Sequence, residues 1–420
     1  MFNLSQRKVV VFDYGFFLPL ARVIASASKE LAYHTPFMSS LTRPEKAMIG
    51  EGIPDIINAP DFDDAIKELD PKRDWVCFFD VGEPGKQDQL RRDGYTVFGM
   101  GPVEKWEQNR YFFKQQLEKL GLAVPVYKHI IGIEALQKEL EKDPEWFVKI
   151  NMFRGLSETF WAGINWELRI KQLSHKAGAF APKMEFIIEK RIEGPEFGTD
   201  IFISKAGPFS KLLYGIEDKD CSYSCKVVEY GSLPKPMLDV HKIIDPEIVK
   251  QGGNGMYSTE MRITEDLTPY FGDMSARSGS PPGEIICRTY KNFPEGCYAA
   301  AKGEKINLEE EKPYAAQVIL KSPWCQGEAS VVKYPEAVAD LVMLRNLCYI
   351  DGKYKFIPSE GCEIIGSAVG LGDSLEEAQA QALEVAEQVE TDKIYYDKYT
   401  FERVDETIEE SRRMGLQRSF

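Results

Sequence analysis

Three short apolar runs near the start of the chain restrict its fold more than any other feature. They are KVVVFDY (8–14), WVCFFDVG (75–82) and YTVFGMG (95–101). Runs of this length, rich in valine and aromatic residues, are typical of strands buried on both faces of a parallel sheet. Helix-like segments such as FDDAIKELD (62–70) alternate with them. The alternation predicts a doubly wound α/β domain over residues 1–102.

The middle of the chain, residues 103–310, mixes both kinds of element and predicts an α+β domain with a subdomain at about 125–195. In EKWEQNRYFFKQQLEKL the apolar positions recur at helical spacing, and Gly121 follows as a stop signal. The segment EFIIEKRIEGPEFGTDIFIS predicts a hairpin that turns at Glu193–Pro195. The predicted elements are helices over 104–120 and 133–143, a strand over 146–155 that ends in a loop, and two strands within 185–204.

The last part of the chain, residues 311–420, predicts a small α+β domain. YAAQVILKS (314–322) and CEIIGSAVGLGD (362–373) have the composition of strands. SLEEAQAQALEVAEQV (374–389) is an amphipathic helix in which Ser374 and Glu377 have the spacing of a capping box. The whole pattern predicts a compact multidomain protein of mixed α/β and α+β class.

The overall charge argues against nucleic-acid binding. The formal net charge is −14, whereas proteins that bind nucleic acid normally present a basic face to the phosphates. Apolar residues make up 43% of the chain, which is enough for a large core. No run reaches the roughly 18 apolar residues of a membrane-spanning helix. We therefore expect a cytoplasmic protein that binds neither nucleic acid nor membrane.

The eight cysteines do not predict a metal site. Cys221 and Cys225 are the only close pair, and neither a second pair nor a nearby histidine completes a zinc-binding pattern. We expect ordinary reduced thiols.

Lys149 is the first candidate for phosphate chemistry. It lies at the end of an apolar strand, and the loop from Asn151 to Gly155 could fold over a nucleotide. Further along, Glu189 ends an apolar run and Glu196 follows the turn EGPE. An exposed strand edge can bind adenine through its backbone, and a carboxylate can accept both ribose hydroxyls. Taken singly, each residue also fits a structural role.

The segment YFGDMSARSGSPPGE (270–284) has the strongest chemical pattern. Asp273, Ser275 and Arg277 alternate, so an extended strand would place them on one face. A carboxylate and a hydroxyl suit Mg2+, which prefers hard oxygen ligands, and the arginine suits a transferring phosphoryl group. A polar loop rich in glycine and proline is the structural alternative.

Taken in order, these segments resemble the ATP-grasp superfamily, and within it the glycinamide ribonucleotide synthetases (phosphoribosylamine–glycine ligases). The similarity extends from about residue 75 to about residue 397. The segments are VFGMGPVEKWEQNRYFFKQQLEKLGLAVP (97–125), WFVKINMFRG (146–155), FIIEKRIEGPEFGTDIF (186–202) and, in the last domain, EIIGSAVGLGDSLEEAQAQALEVAEQV (363–389).

The resemblance implies a site for ATP and Mg2+. The residues that it implicates are phosphate-binding Lys114 and Lys149, the adenine-binding hinge of Glu189, Lys190, Arg191 and Ile192, ribose-binding Glu196, the metal ligands Asp273, Ser275 and Glu260, and Arg277 at the transferring group. It also implies a ligase that activates a carboxylate as an acyl phosphate and joins it to an amine. The expected substrates are small molecules.

The sequence departs from the family at the amine site. The family opens with a glycine-rich loop that holds the phosphate of phosphoribosylamine by backbone N–H groups. Here VVVFDYGFFLPLAR (9–22) has one glycine, Gly15, beside bulky Phe16 and Phe17, and the family's segment after the metal strand is replaced by SGSPPGE (278–284). The sequence therefore predicts a different amine.

Three alternatives remain at this point. One is the phosphoribosylamine–glycine ligase of purine biosynthesis, with an unusual first loop. Another is a scaffold without catalysis that binds nucleotide or protein, because Asp273 and Ser275 stand where the family has glutamate and asparagine. The third is a ligase that modifies a peptide or another macromolecule.

Overall fold

The fold was analysed in a computed structural model of the chain. It describes residues 2–36, 47–151, 159–280, 283–359 and 362–416. The loop at 152–155, expected to cover a nucleotide, therefore lies outside the described residues.

The first domain is built on a parallel sheet, as predicted, and this sheet has five strands in the described residues. Alternate residues of the first strand enter two different cores, Val9 and Val11 on one face and Val10 and Phe12 on the other, which is why the run is apolar throughout. The strand order is β3-β2-β1-β4-β5. The elements are β1 (Lys8–Phe12), α1 (Leu18–Ala27), β2 (Glu30–His34), β3 (Ile56–Asn58), α2 (Phe62–Lys67), β4 (Trp75–Phe78), α3 (Pro84–Arg92) and β5 (Thr96–Phe98).

The helix predicted over 104–120 is two helices, α4 (Glu104–Gln108) and α5 (Arg110–Lys119). The break occurs at Asn109, which has an extended backbone. Its side-chain oxygen accepts a hydrogen bond from the N–H of Phe112 and so caps α5. The single-helix prediction was wrong because the apolar spacing continues across this cap.

A second, antiparallel sheet has the order β6-β9-β7-β8. One of its faces packs against two helices through a separate apolar core that includes Leu136, Val148 and Ile188. Its elements are β6 (Tyr127–Ile131), α6 (Ile133–Lys142), β7 (Trp146–Ile150), β8 (Thr159–Trp161), α7 (Trp166–Ala177) and β9 (Glu185–Lys190).

In the part of the chain that the structure describes, the third sheet contains nine strands and extends from the middle of the chain into its last part. The order is β15-β14-β10-β12-β13-β16-β21-β18, and β11 pairs with β10. The first group of elements is β10 (Glu196–Ser204), β11 (Gly207–Pro208), β12 (Lys211–Asp218), β13 (Ser222–Glu229), α8 (Lys235–Lys250), β14 (Gly255–Ile263), β15 (Pro269–Ser275), α9 (Gly283–Thr289) and α10 (Phe293–Ala301).

The hairpin predicted within 185–204 does not form. β9 belongs to the antiparallel sheet of four strands, and β10 belongs to the sheet of nine. The chain does turn at Gly194. Only glycine fits there, because a Cβ would lie 2.1 Å from the carbonyl oxygen of Ile263. After this turn, β10 pairs with β14 and not with β9. The predicted turn was therefore correct, and the predicted strand pairing was wrong.

The remaining elements complete the large sheet and add a small one. β16 pairs with β13, so the sheet continues across the predicted boundary at residue 310. The small sheet has the order β17-β20-β19. The elements are β16 (Tyr314–Lys321), β17 (Ser330–Val332), β18 (Val342–Leu344), β19 (Leu347–Ile350), β20 (Lys353–Phe356), β21 (Ile364–Gly372), α11 (Leu375–Ala386) and α12 (Thr400–Arg413).

The start of α11 gives a first prediction. Ser374 accepts a hydrogen bond of 3.2 Å from the N–H of Glu377, as the capping-box spacing predicted. The Glu377 carboxylate returns to the N–H of Asp373 at 2.9 Å. A Ser374→Ala variant is expected to lose about 1 kcal/mol of unfolding free energy. Urea-induced unfolding measures this loss, and Ser374→Asp, which keeps an acceptor, should retain most of the stability.

Cys221 lies near two carboxylates, Asp218 and Asp397. The guanidinium group of Arg403 already contacts both carboxylates. The two carboxylates therefore already have a cation, in a partly exposed ion-pair cluster. Cys225 is buried in β13. Within the described ranges, no helix combines the length and the apolar character needed to cross a membrane.

Candidate functional site

Two lysines from different elements meet at one carboxylate. The Nζ atom of Lys114, on α5, lies 3.0 Å from Oε1 of Glu189, and the Nζ atom of Lys149, on β7, lies 3.3 Å from Oε2. The side chain of Lys114 is 2% exposed, that of Lys149 is 12% exposed and that of Glu189 is 6% exposed. The structure thus brings together three of the residues selected from the sequence.

The charges in this group stabilise one another against burial. Burial opposes the ionised forms, yet the two ammonium groups hold the pKa of Glu189 below its usual range. Burial lowers the pKa of Lys114, whereas Glu189 and Asp273 raise the pKa of Lys149 in spite of burial. Lys149 is therefore a nearly buried residue that stays a cation.

The lysines join the second sheet to the third. Lys114 donates to the carbonyl of Phe271 and Lys149 donates to that of Gly272, both at 3.2 Å. Both acceptors are on β15, next to Asp273. The site therefore lies between the second and third sheets, with the two lysines on one side and the acidic residues of β14 and β15 on the other, and this region is the cleft.

The acidic wall consists of neighbouring positions on two paired strands. Glu260 on β14 lies opposite Asp273 on β15, so both side chains are on the same face. Asp273 lies 3.6 Å from Arg110. Burial opposes ionisation, but Arg110 and Lys149 hold the pKa of Asp273 below its usual range. These residues provide two hard oxygen donors, a set that fits Mg2+.

A third lysine, Lys219, contacts the acidic wall. Its Nζ atom lies 3.1 Å from Glu196, 2.8 Å from Glu217 and 2.8 Å from Glu260. Burial works against the charge, but the three carboxylates raise the pKa of Lys219 well above its usual range. Burial and the nearby Glu260 raise the pKa of Glu217. Lys219 follows β12 in a turn, and no apolar periodicity marked it in the sequence.

A buried acid, Asp200 on β10, lies next to the acidic wall, opposite Ser258 of β14. It accepts hydrogen bonds from the hydroxyls of Tyr223, at 2.9 Å, and Ser258. Tyr223 reaches it across Gly215, where a Cβ would lie 2.3 Å from the phenol ring. Burial raises the pKa of Asp200 to about 7, against the effect of the two hydroxyls and with a contribution from Glu260.

A second prediction follows from Asp200. Folded protein binds its proton up to about pH 7, while the unfolded chain releases it near pH 4. Stability should therefore fall as pH rises from 5 to 8, and Asp200 should account for about 2–3 kcal/mol of that fall. Urea-induced unfolding in EDTA should show a smaller fall in Asp200→Asn. An equal fall in variant and parent would contradict the assignment.

The hinge residues are placed differently from one another. Lys190 turns away from the cleft, and its Nζ atom contacts Asp143 and lies 4.0 Å from the ring centre of Trp146. Arg191 is exposed and pairs with Glu193 at 2.9 Å. The backbone N–H of Lys190 donates to the carbonyl of Val126 at 2.9 Å, and the side chain of Ile192 is half-buried.

Glu196, at the start of β10, lies at the other end of the hinge. It is held by Lys219 and by Arg262, the latter at 3.0 Å. Burial opposes its charge, yet these cations keep the pKa of Glu196 below its usual range. It therefore faces the cleft as a carboxylate.

Arg277 does not lie beside Asp273 as the alternation predicted. β15 ends at Ser275, so Ser275 keeps the strand geometry and Arg277 follows in the next turn. The guanidinium group lies 2.9 Å from Glu107 and 3.3 Å from Asp80, at the edge of the first domain. Arg277 thus joins the acidic wall to the first sheet.

Comparison with known proteins identifies the fold. No family model and no curated protein matches the sequence. Among solved structures, phosphoribosylamine–glycine ligase from Thermotoga maritima is 17% identical, with a TM-score of 0.69 over 93% of this chain and 98% of that chain. The chain has the ATP-grasp fold. The resemblance drawn from the sequence is confirmed at this level.

Two further structures have the same architecture. N5-carboxyaminoimidazole synthase from Aspergillus clavatus, in complex with ADP and 5-aminoimidazole ribonucleotide, is 13% identical, with a TM-score of 0.58 over 91% of this chain and 99% of that chain. L-amino acid ligase from Bacillus licheniformis is 16% identical, with a TM-score of 0.56 over 94% and 99%. At these identities the likeness concerns the fold.

Within the ATP-grasp fold, two residues of this cleft were missed by the sequence reasoning. Arg110 is one turn before Lys114 on α5, and this helical spacing could have placed it beside Asp273. Lys219 had no comparable signal, because its three partners come from three different strands of the sheet.

Proposed function

We propose that the protein is an ATP-dependent carboxylate–amine ligase that releases ADP and phosphate. The observation that supports this most is the meeting of Lys114 and Lys149 at Glu189, opposite the acidic pair of Glu260 and Asp273. Cations on one wall and hard oxygen donors on the other are what the polyphosphate of ATP and its metal require. The ligases and synthetases of the same fold support the reaction class.

Nucleotide binding would use both walls. Lys149 and Lys114 neutralise the phosphates, the backbone of 190–192 meets adenine, and Glu196 accepts the ribose hydroxyls. Asp273 and Glu260 would hold Mg2+, with Ser275 adding a hydroxyl. When bound, the metal would neutralise charge on the phosphates. Nucleotide would compete with Glu189 for the two lysines and with Glu260 for Lys219.

The reaction needs no protein nucleophile. A carboxylate oxygen of the substrate attacks the γ-phosphorus, the bond to ADP breaks, and an acyl phosphate forms. The neutral amine then attacks the acyl carbon, phosphate leaves, and the nitrogen loses a proton to solvent. Arg277, next to the acidic strand and held by Asp80 and Glu107, would stabilise the transferring phosphoryl group.

The test is ATP-dependent phosphate release across a panel of amino acids paired with amines. The panel includes phosphoribosylamine generated in place and peptides with free amino groups. Release stimulated by one carboxylate–amine pair, with the amide product detected by mass spectrometry, supports the ligase. Stimulation by glycine with phosphoribosylamine would instead identify the purine-pathway reaction. Nucleotide binding without release by any pair would favour a non-catalytic scaffold.

A further inference from the structure

The start of α5 is capped from two sides. A helix leaves the N–H groups of its first turn without partners inside the helix. Asn109, the residue before α5, accepts the N–H of Phe112. The N–H of Tyr111 bonds to a residue of another element, because it donates at 2.8 Å to Oδ1 of Asn151, which directly follows β7. Asn151 is thus a second cap of the same helix start, supplied by a distant part of the chain.

The other end of the Asn151 amide binds the second sheet. Its Nδ2 atom donates at 2.9 Å to Oε2 of Glu185 on β9, and its backbone N–H donates at 2.8 Å to the Glu185 carbonyl. The side chain of Asn151 is fully buried. Its partners fix the orientation of the amide, because the N–H of Tyr111 needs an oxygen and the carboxylate of Glu185 accepts from a nitrogen. One side chain therefore ties α5 to two strands.

Further contacts strengthen this junction between α5 and the second sheet. The Nη1 atom of Arg110 donates at 2.6 Å to the carbonyl of Ile150, and the N–H of Arg110 lies 3.5 Å from the carbonyl of Asn151. The rings of Tyr111 and His129 stack with their centres 4.1 Å apart. The first turn of α5 is therefore held against the end of β7 and against β6.

The junction lies beside the three cations that meet in the cleft. Arg110 and Lys114 are on α5, and Lys149 is two residues before Asn151. Like charges repel one another. Burial lowers the pKa of Lys114, and the nearby charge of Lys149 contributes to this lowering. The arrangement of the cations therefore depends on other contacts that keep α5 beside β7.

Glu189 cannot hold α5 beside β7 throughout the reaction. It pairs with Lys114 and Lys149, but under the proposed function nucleotide competes for the same two lysines. The side chain of Asn151 bonds to a backbone N–H and to Glu185, and neither of these is a lysine that phosphate would engage. Asn151 is also neutral, so it leaves intact the positive charge that phosphates require, which an aspartate would reduce.

We propose that Asn151 is a positioning residue of the cleft, one that sets the distance between the cations of α5 and Lys149. Its amide holds the start of α5 at the end of β7, so Arg110 and Lys114 keep their places when Glu189 releases the lysines. The consequence for ATP rests on the proposed ligase function, whereas the junction itself does not.

Two asparagine variants test this role. Asn109→Ala and Asn151→Ala each remove one side-chain cap from the first turn of α5, but only Asn151→Ala also cuts the tie to β9. We expect Asn151→Ala to weaken ATP binding and to slow substrate-stimulated phosphate release by about 10- to 100-fold. Asn109→Ala should remain close to the parent in both. Calorimetric titration with ATP and Mg2+ measures the affinity, and circular dichroism must show both variants folded.

A second pair of variants leaves the cap of α5 in place. Glu185 is partly exposed, so its substitution should not prevent folding. Glu185→Ala and Glu185→Gln both lack the charge, but only Glu185→Gln keeps an acceptor for Nδ2 of Asn151. Glu185→Ala should therefore bind ATP more weakly than Glu185→Gln does. Equal ATP affinity in these two variants, or parent-like affinity in folded Asn151→Ala, would overturn the positioning role.

Hydrogen exchange of the free chain tests the junction without nucleotide. In Asn151→Ala, exchange should become faster in both 110–119 and 146–150, whereas Asn109→Ala should affect 110–119 alone. If this pattern is found but the parent does not bind ATP, the junction stands and the ligase function fails. If the parent binds ATP but Asn151→Ala matches Asn109→Ala in exchange and affinity, the positioning role fails and the ligase function stands.

Discussion

Lys149→Ala is expected to slow substrate-stimulated phosphate release from ATP by about 100- to 1000-fold. The reason is electrostatic: Lys149 is a nearly buried cation whose charge is sustained by Glu189 and Asp273. A preorganised donor of this kind contributes most to charge that develops during phosphoryl transfer, because little water is present to replace it. ATP affinity should fall as well, and calorimetric titration measures it separately from turnover.

A matched control lies on the same sheet. Lys128 is on β6, where its ammonium group contacts Glu139 and lies 4.9 Å from the ring centre of Trp146. This position is on the helix-packed side of the sheet, so Lys128→Ala should release phosphate at the parent rate. Thermal unfolding must show both variants folded. Equal rates in Lys149→Ala and the parent would remove the main support for the ligase.

The order of chemical residues along the chain predicted much of the cleft. Lys149 and Glu189 each end an apolar strand, and such strands are recognised by composition. Their convergence was expected because the segments resemble a known fold in the right order. In the structure the Nζ atom of Lys149 lies 3.3 Å from Oε2 of Glu189. The proximity of Lys114 to Glu189 was likewise implied by the resemblance. The helical pattern of α5 was read from its apolar residues, so it did not select a lysine.

Other features depend on tertiary contacts that no local pattern contains. The alternation of Asp273 and Arg277 predicted one shared face, but the strand ends at Ser275 and Arg277 contacts Asp80, almost 200 positions away in the chain. The turn at Gly194 was recognised as a turn, yet the strands on either side entered different sheets. A turn residue specifies local backbone, not the partner strand.

The acidic wall leads to the second large effect. Asp273→Asn is expected to raise the Mg2+ concentration for half-maximal activity by at least about 10- to 100-fold. Asp273 is kept ionised by Arg110 and Lys149, and it faces Glu260 across the strand pair. The amide keeps the size of the side chain and removes the negative charge that a hard cation prefers. Phosphate release measured against Mg2+ concentration gives the shift.

Whether Asp273→Asn raises or lowers the affinity for ATP should depend on Mg2+. This dependence distinguishes a metal ligand from a residue with a purely structural role. In EDTA, Asp273→Asn should bind ATP as tightly as the parent or more tightly, because Arg110 and Lys149 lose a competing anion. With Mg2+ present, Asp273→Asn should bind ATP more weakly than the parent does. Glu265→Gln, an exposed change in the β14–β15 turn, should match the parent in both conditions. Metal-independent ATP binding in both parent and Asp273→Asn would favour the non-catalytic scaffold, because a ligase of this kind needs the metal at the phosphates.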